Sequence, residues 1–249
     1  MIGGKRILVV VPARGGSKGI KLKNLRPVLG VPMVARVGHV VGQLDNIDRA
    51  VVSTDHEEIA RVAEGSGLAA PFRRPEMLSG DRIGDLEVLT NALEEMERID
   101  RVSYDIVVML QPTSPLRRPE DVTRTVETLV QGSWDAVWTV SESDSKAHPL
   151  KQLTMEPGSG RLGYYDPAGK AIIARQQLTP VCHRNGIAYA ISRDCLLGQK
   201  TIMGARTGAL LIEGPAISID TEWDIDLCEF LMRRNGYPEA EGYTSLREG

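Results

Sequence analysis

Two hydrophobic patterns alternate along the first 141 residues of the chain. Short continuous apolar runs, typical of strands buried on both faces of a parallel sheet, are followed by stretches whose apolar residues recur with the period of a helix. The predicted strands are residues 7–11, 49–54, 104–110 and 135–141, and the predicted helices are residues 32–44, 55–66, 84–98 and 119–131. Four such repeats with short connections predict an α/β fold with a doubly wound, mostly parallel sheet.

The rhythm changes after residue 141. Residues 142–185 have no long helical stripe and are rich in proline, glycine and scattered charge, as functional insertions often are. We therefore predict a single domain over residues 1–249 with an insertion at about 142–185. The remaining predicted elements are short strands at 68–72, 186–192, 210–213 and 216–219, a helical turn at 193–197, a final helix that begins near Thr221 and ends by residue 235, and a loosely held polar tail at 237–249.

The first predicted strand ends at Pro12 in a loop of glycines and cations. Gly15, Gly16 and Gly19 let the main chain turn its N–H groups inward, while Arg14 and the lysines add positive charge. Such a loop at the carboxyl end of a strand suits a polyphosphate. Its spacing matches neither G-x-G-x-x-G nor G-x-x-x-x-G-K-[ST], so the loop supports neither a Rossmann dehydrogenase nor a Walker-type ATPase. The alternative interpretation is that this loop is a solvated basic turn that binds no phosphate.

Composition excludes several classes of protein. Of 249 residues, 42% are hydrophobic and 25% charged, which is ordinary for a globular protein, and the net charge of −3 comes without a basic block for nucleic acid. Three cysteines without C-x-x-C spacing predict neither a disulfide framework nor a zinc site. No apolar run approaches the ~20 residues of a membrane span, and no signal peptide fits before the first strand, so we expect a cytoplasmic location.

Three polar residues elsewhere each allow a structural and a functional interpretation. Asp55 with Glu58 has the spacing of a capping box, although it also follows a strand near the expected ligand edge. Arg74 is either an exposed surface arginine or a ligand contact. Asp220 is either the N-cap of the last helix or a carboxylate for a metal.

The loop sequence PARGGSKGIKLKN resembles the nucleotide-binding loop of the acylneuraminate cytidylyltransferases, the CMP-sialic acid synthetases. The resemblance covers nearly the whole chain and implies a Rossmann-like nucleotidyltransferase fold, with a β-rich arm at 142–185 that forms a homodimer and closes over the sugar. Further matches follow in family order: VVSTD at 51–55, RPEML at 74–78, LQPTSPLR at 110–117, HPLK at 148–151, RQQL at 175–178, NG at 185–186 and IDTEWD at 219–224.

The reaction implied by the resemblance is attack by the anomeric hydroxyl of a 2-keto-3-deoxy sugar acid on the α-phosphate of CTP. Fixed cations and a divalent metal provide most of the rate in phosphoryl-type transfer. By resemblance, Lys23 contacts the α-phosphate, Arg14 the pyrophosphate end and Asp220 binds Mg²⁺. The other implied nucleotide contacts are Gly15, Gly16, Ser17, Lys18, Asn24 and Arg74, and the implied contacts to the acidic sugar are Gln111, Lys151, Arg175 and Gln176.

Two positions depart from the family pattern. Ser218 stands where sialate synthetases have the first aspartate of D-I-D, which affects the number of metals. The sequence Cys182-His183-Arg184-Asn185-Gly186 stands where F-R-P-N-G is typical, so His183 is either a replacement contact or a surface residue. The candidate acceptors are N-acetylneuraminate, a bacterial relative such as legionaminate or pseudaminate, or a different acid. The open alternatives are therefore a catalytically reduced nucleotide-binding paralogue, or a cytidylyltransferase for a different acidic acceptor. Transfer to a sugar 1-phosphate is disfavoured by the loop sequence.

Overall fold

A computed structural model describes residues 2–239. The polar tail predicted at 237–249 lies outside the described residues from position 240 onward. The chain divides into two compact units, which we call the larger unit, Met1–Thr139 with Asn185–Gly249, and the smaller unit, Val140–Arg184. The smaller unit covers the stretch in which the helical and strand patterns disappear from the sequence.

The described residues form strands, helices and short 3-10 turns. The strands β1 to β10 are, in chain order, Ile7–Pro12, Pro27–Val28, Val31–Pro32, Arg49–Ser53, Ile106–Met109, Ala136–Glu142, Leu153–Met155, Leu162–Tyr164, Cys182–Ser192 and Thr207–Leu211. The helices α1 to α6 are Met33–Val41, Glu57–Gly65, Asp85–Asp100, Pro119–Gly132, Arg193–Leu197 and Glu222–Arg234. The 3-10 turns are Lys23–Leu25, Glu76–Leu78, Pro149–Lys151, Pro167–Ala171 and Arg175–Gln177.

Six strands form the central sheet in the order β10-β6-β9-β5-β1-β4. The strand β1 pairs in parallel with both β4 and β5, while β9 runs antiparallel to β5 with Met109 opposite Tyr189. The predicted α/β class with a mostly parallel sheet is confirmed. A two-stranded antiparallel pair, β2 with β3, lies outside this sheet and was not predicted.

Alternate residues of β1 belong to different hydrophobic cores. Ile7, Val9 and Val11 pack with apolar residues of α1, α2 and α4, whereas Leu8 and Val10 pack with residues of α3 and α5. Both faces of the strand are therefore covered by helices, which explains why its sequence shows no alternation of apolar and polar residues.

Several predicted elements differ from the structure. Residues 68–72 make a single bridge between Val51 and Ala69 and no strand, because Pro71 has no N–H with which to continue a ladder. Residues 216–219 are not a strand either, since the Ile219 N–H donates to the Thr113 carbonyl of a loop. The predicted helix at 32–44 begins one residue later, with Pro32 as its N-cap.

The smaller unit contains the β7–β8 hairpin, in which Leu153 lies opposite Tyr164. Its buried His148 accepts a hydrogen bond from the Leu150 N–H through Nδ1 and lies 3.0 Å from the Thr179 carbonyl through Nε2. Because a carbonyl oxygen only accepts, Nε2 is the donor in the second of these hydrogen bonds. Within the described residues, no helix is both long and apolar enough to cross a membrane.

Candidate active site

The glycine-rich loop after β1 is held from the side by the segment after β4. The Gly15 N–H donates to Asp55 Oδ1 at 2.8 Å. The two residues meet because neighbouring parallel strands end at the same edge of the sheet. The capping box predicted for Asp55 and Glu58 is wrong: His56 is the N-cap of α2, and no side chain caps the helix. A Cβ on Gly15 would come within 2.9 Å of the His56 ring, so the close approach requires glycine.

Two cations of the loop share one carboxylate. Arg14 Nη1 lies 2.8 Å from Asp81 Oδ1, and Lys18 Nζ lies 2.6 Å from Asp81 Oδ2. Hydrogen bonds from Lys18 and Arg14 hold the pKa of the Asp81 carboxyl below its usual value. The loop therefore presents a guanidinium and an ammonium side by side, and an anionic oxygen already contacts each of them.

Interactions within the loop fix its main chain. Buried Asn24 donates from Nδ2 to the Arg14 carbonyl at 3.0 Å, and the Ser17 N–H donates to the Gly15 carbonyl at 3.1 Å. The N–H groups of Gly15 and Ser17 thus have protein partners, while the Cα of Gly16 faces open space. Gly16 and Lys18 are among the exposed residues of this loop.

Lys23 and Asp220 form the second cation–acid pair. Their Nζ and Oδ1 atoms are 2.8 Å apart, with the lysine side chain 18% and the aspartate 74% exposed. Although they lie far apart in sequence, the Gly19 main chain touches the Asp220 carbonyl so closely that a Cβ there would approach to 2.7 Å. The ammonium group of the largely covered Lys23 side chain therefore lies against an exposed carboxylate.

The start of α6 positions Asp220 without using its carboxylate. Thr221 is the N-cap and accepts from the Asp224 N–H, while Asp224 Oδ2 accepts from the N–H groups of Asp220 and Thr221 at 3.0 and 2.7 Å. The interpretation of Asp220 as the helix cap is therefore wrong. Its carboxylate takes no part in capping α6 and pairs with Lys23 instead.

Arg74 is a buried residue of the same sheet edge, with 5% exposure. Its Nε donates to Ser53 Oγ at 3.0 Å and its Nη2 donates to the Ser53 carbonyl, so the end of β4 fixes the guanidinium. Burial lowers the pKa of Arg74 to about 10, the Asp55 charge opposes this shift and Arg14 adds to it. The alternative of an exposed surface arginine is wrong.

A buried arginine that the sequence analysis gave no role, Arg117, organises the loop after β5. Its Nη2 donates to the carbonyls of Gln111 and Gly186 at 2.6 and 2.9 Å, and its Nε donates to the Ile187 carbonyl. Burial lowers its pKa to about 9. The signal was available, because Arg117 closes the motif LQPTSPLR.

Gln111 lies directly over Gly186. At this glycine φ is +72°, and an added Cβ would fall onto Gln111 Oε1 and within 2.6 Å of Ser114 Oγ. The preceding residue, Asn185, accepts from Thr139 Oγ1 at 2.6 Å. The Gln111 amide is therefore positioned by Gly186, at the point where the chain re-enters the larger unit.

The other sugar contacts implied by the resemblance belong to the smaller unit. Lys151 ends one 3-10 turn, and Arg175 with Gln176 opens another; all three side chains are exposed. Arg175 also lines a cleft of about 540 Å³ within this unit, beside Ser143, Asp144 and His148. The exposed His183 ring lies 2.9 Å from Ser143 Oγ through Nδ1.

A mostly parallel α/β sheet whose carboxyl edge carries a glycine-rich cationic loop and a facing acid defines an α/β protein of the nucleotide-binding class. The chain belongs to the cytidylyltransferase family, whose sequence model matches residues 8–235. This confirms the resemblance described above.

Curated relatives match along almost the whole chain. A CMP-N,N'-diacetyllegionaminic acid synthase of Legionella pneumophila is 31% identical over 92% of this chain and 97% of its own length. A post-translational flagellin modification protein B of Campylobacter coli is 30% identical over 91% of this chain and 95% of its own. Among solved structures, a CMP:2-keto-3-deoxy-manno-octonic acid synthetase complexed with CTP matches with a TM-score of 0.63, at 21% identity, over 92% of this chain and 99% of that one. This likeness shows a shared fold.

Proposed function

We propose that the protein transfers CMP from CTP to the anomeric hydroxyl of a sialic-type 2-keto-3-deoxy sugar acid and releases pyrophosphate. The observation that carries the proposal is the clustering of Arg14, Lys18 and Lys23 on one glycine-rich loop of a cytidylyltransferase-family chain, with Lys23 paired to Asp220. The name of the Legionella relative supports an acceptor of the nine-carbon acid type.

The cations fit a displacement at the α-phosphate. The acceptor oxygen forms a bond to phosphorus, the bond to the β-phosphate bridging oxygen breaks, and the hydroxyl proton passes to water. Lys23, held on a largely buried stem, neutralises charge on the α-phosphate, while Arg14 and Lys18 take the charge that accumulates on pyrophosphate. Arg74, fixed by Ser53, is the proposed contact to the cytosine ring.

The donor set fits one Mg²⁺ that is shared with phosphate oxygens. Within residues 2–239 no group of three or more His, Cys, Asp or Glu side chains is arranged to hold a metal, which rules out an all-protein cage there. Mg²⁺ needs only one or two carboxylates when phosphates and waters complete its shell. Asp220, open to solvent, is the residue we propose for it, with the hydroxyl of Ser218 beside it in sequence. The ion would neutralise triphosphate charge.

The acceptor carboxylate requires charge-assisted donors, and Arg175 and Lys151 are our candidates in the smaller unit. Gln111, fixed by Arg117 and Gly186, is the candidate on the larger unit. Legionaminate, pseudaminate and N-acetylneuraminate are the acceptors to test. A cytoplasmic location is part of this proposal, because CTP and reduced thiols are found there.

A homodimer is supported by the β7–β8 hairpin of the smaller unit. One face of the hairpin carries Leu153, Met155, Leu162 and Tyr164, which are 43–68% exposed. An apolar face of this kind marks an interaction surface. Light scattering of the wild type and of Met155→Lys tests the dimer: a dimer that the substitution dissociates supports it, and a wild-type monomer refutes it.

The deciding experiment measures pyrophosphate release with each of the four nucleoside triphosphates, Mg²⁺ and each sugar acid in turn. We expect release with CTP only, lost by more than about a hundredfold in Lys23→Gln. Lys21→Gln is the matched control, because Lys21 is an exposed lysine of the same loop. Absence of release with every pair refutes the transferase. CTP binding without turnover would instead favour the catalytically reduced paralogue, for which Ser218 in place of an aspartate is the supporting observation.

A further inference from the structure

Asp81 takes no part in the reaction proposed above, yet it binds two of the cations assigned to the triphosphate. One of its oxygens lies 2.8 Å from Arg14 Nη1 and the other lies 2.6 Å from Lys18 Nζ. A single carboxylate therefore joins a guanidinium and an ammonium of the same loop, using a separate oxygen for each.

This arrangement is the one a phosphate group would make. Arginine and lysine bind phosphate through short charge-assisted hydrogen bonds to anionic oxygens, and a carboxylate offers the same two-oxygen edge. Two neighbouring cations also repel each other, and the anion between them removes that repulsion. In the free protein Asp81 thus holds the phosphate-binding side chains together.

The segment that carries Asp81 is placed so that the contact can break. It lies between the turn Glu76–Leu78 and the start of α3 at Asp85, and residues 80–82 are exposed outside regular structure. The Asp81 side chain is 41% exposed and that of Lys18 is 81% exposed. The ion pair between Lys18 and Asp81 is therefore open to solvent.

We propose that Asp81 is an internal substitute for a phosphate of the nucleotide: it holds Arg14 and Lys18 in the free protein and is displaced when the triphosphate binds. The inference rests on the proposed function, because it takes these two cations as the triphosphate site. Carboxylate and triphosphate compete for the same two groups and carry the same sign of charge. The Asp81 charge therefore weakens binding of phosphate-bearing ligands and leaves binding of an uncharged nucleoside unchanged.

Calorimetric titration of the full chain with CTP, inorganic pyrophosphate and cytidine tests this. We expect Asp81→Asn to tighten the Kd for CTP and for pyrophosphate about three- to tenfold and to leave cytidine within about twofold. Glu76→Gln is the matched control, since it removes the same charge from an exposed residue of the same segment. It is expected to change each Kd by less than about twofold. In a protein that already carries Lys18→Ala, Asp81→Asn should tighten the Kd for CTP and for pyrophosphate by a smaller factor.

Unchanged or weaker binding of pyrophosphate by Asp81→Asn overturns the inference, because Asp81 then positions the cations or does nothing. The inference is also overturned if Asp81→Asn tightens the Kd for cytidine as much as that for pyrophosphate, or if Glu76→Gln tightens pyrophosphate binding equally. A wild type that binds no pyrophosphate overturns it too. Asp81→Ser, checked by thermal melting, replaces the asparagine variant if that one fails to fold. The pyrophosphate titration judges Asp81 even if the assay of nucleotide transfer fails, so the two failures are distinguishable.

Discussion

The Gly15 N–H donates to Asp55 Oδ1 at 2.8 Å, so the segment after β4 holds the loop that follows β1. We expect Asp55→Ala to raise the Kd for CTP about tenfold, because the loop loses a hydrogen bond to a charged acceptor. Asp55→Asn is the matched control, since it loses the same charge but keeps an acceptor oxygen. Calorimetric titration with CTP separates the two variants, and equal effects would mean that the charge of Asp55 matters and the hydrogen bond does not.

Arg117 is expected to be the arginine on which stability depends most strongly in this part of the chain. Arg117→Met removes a charged donor from the carbonyls of Gln111, Gly186 and Ile187, at a cost of about 3 kcal/mol or more in the free energy of unfolding. Arg124→Met, an exposed arginine of α4, should cost less than about 0.5 kcal/mol. Urea denaturation followed by circular dichroism measures both, and similar midpoints would contradict the assignment.

Gly186 lies directly beneath Gln111, so replacing it with alanine should cost more stability than backbone strain alone would. Gly236 provides the comparison, because its φ of +75° is similar to that of Gly186 at +72°, while no atom of the other described residues lies within 4 Å of its added Cβ. We expect Gly236→Ala to cost about 1 kcal/mol. Gly186→Ala should cost at least about 1 kcal/mol more and should raise KM for the sugar acid. Equal melting temperatures for the two variants would show that Gln111 moves aside freely.

A pH-dependent contribution to stability is expected from Glu97. Its carboxylate pairs with Arg193 at 2.9 and 3.0 Å, and hydrogen bonds from Arg193 lower the pKa of Glu97. Because the folded-state pKa lies below the unfolded value of about 4.3, the stabilisation is complete above that value and is lost as the pH falls through the folded pKa.

At pH 7, Glu97→Gln should therefore melt at a lower temperature than the wild type. The expected loss in the free energy of unfolding is about 1 kcal/mol, because the pair is partly exposed. The difference in melting temperature between Glu97→Gln and the wild type should narrow as the pH falls below about 4. Glu95 pairs with the exposed Arg98 one turn away on the same helix. Glu95→Gln should therefore differ less from the wild type in melting temperature than Glu97→Gln does. A pH-independent difference would exclude the ion pair as its cause.

Sequence alone predicted the sheet class and most strands and helices of the larger unit, because buried parallel strands leave long apolar runs and amphipathic helices leave a clear period. The misassigned elements have local causes. Residues 216–219 have a strand composition, but the N–H of Ile219 donates to the Thr113 carbonyl in the loop after β5. Whether a segment finds a strand partner is a tertiary property that composition does not contain.

For the candidate site, the glycine-rich loop and the family motifs identified the residues but not their partners. The contact between Lys23 and Asp220 joins distant parts of the chain, and so does the contact between Arg14 and Asp81. The cap interpretations of Asp55 and Asp220 failed for the same reason: an aspartate before a helix has the same sequence signature whether it binds that helix or a distant loop. Arg117 was overlooked because burial of an arginine depends on three carbonyls supplied by the fold.

The hydrogen bond between Thr139 and Asn185 determines how freely the chain between them can vary. These two residues are the last before and the first after the smaller unit, and their Oγ1 and Oδ1 atoms are 2.6 Å apart. The chain leaves and rejoins the larger unit at one point, and the entropic penalty for closing a loop grows only slowly with its length. Insertions, deletions or exchange of the whole segment between these two positions are therefore compatible with an unchanged larger unit.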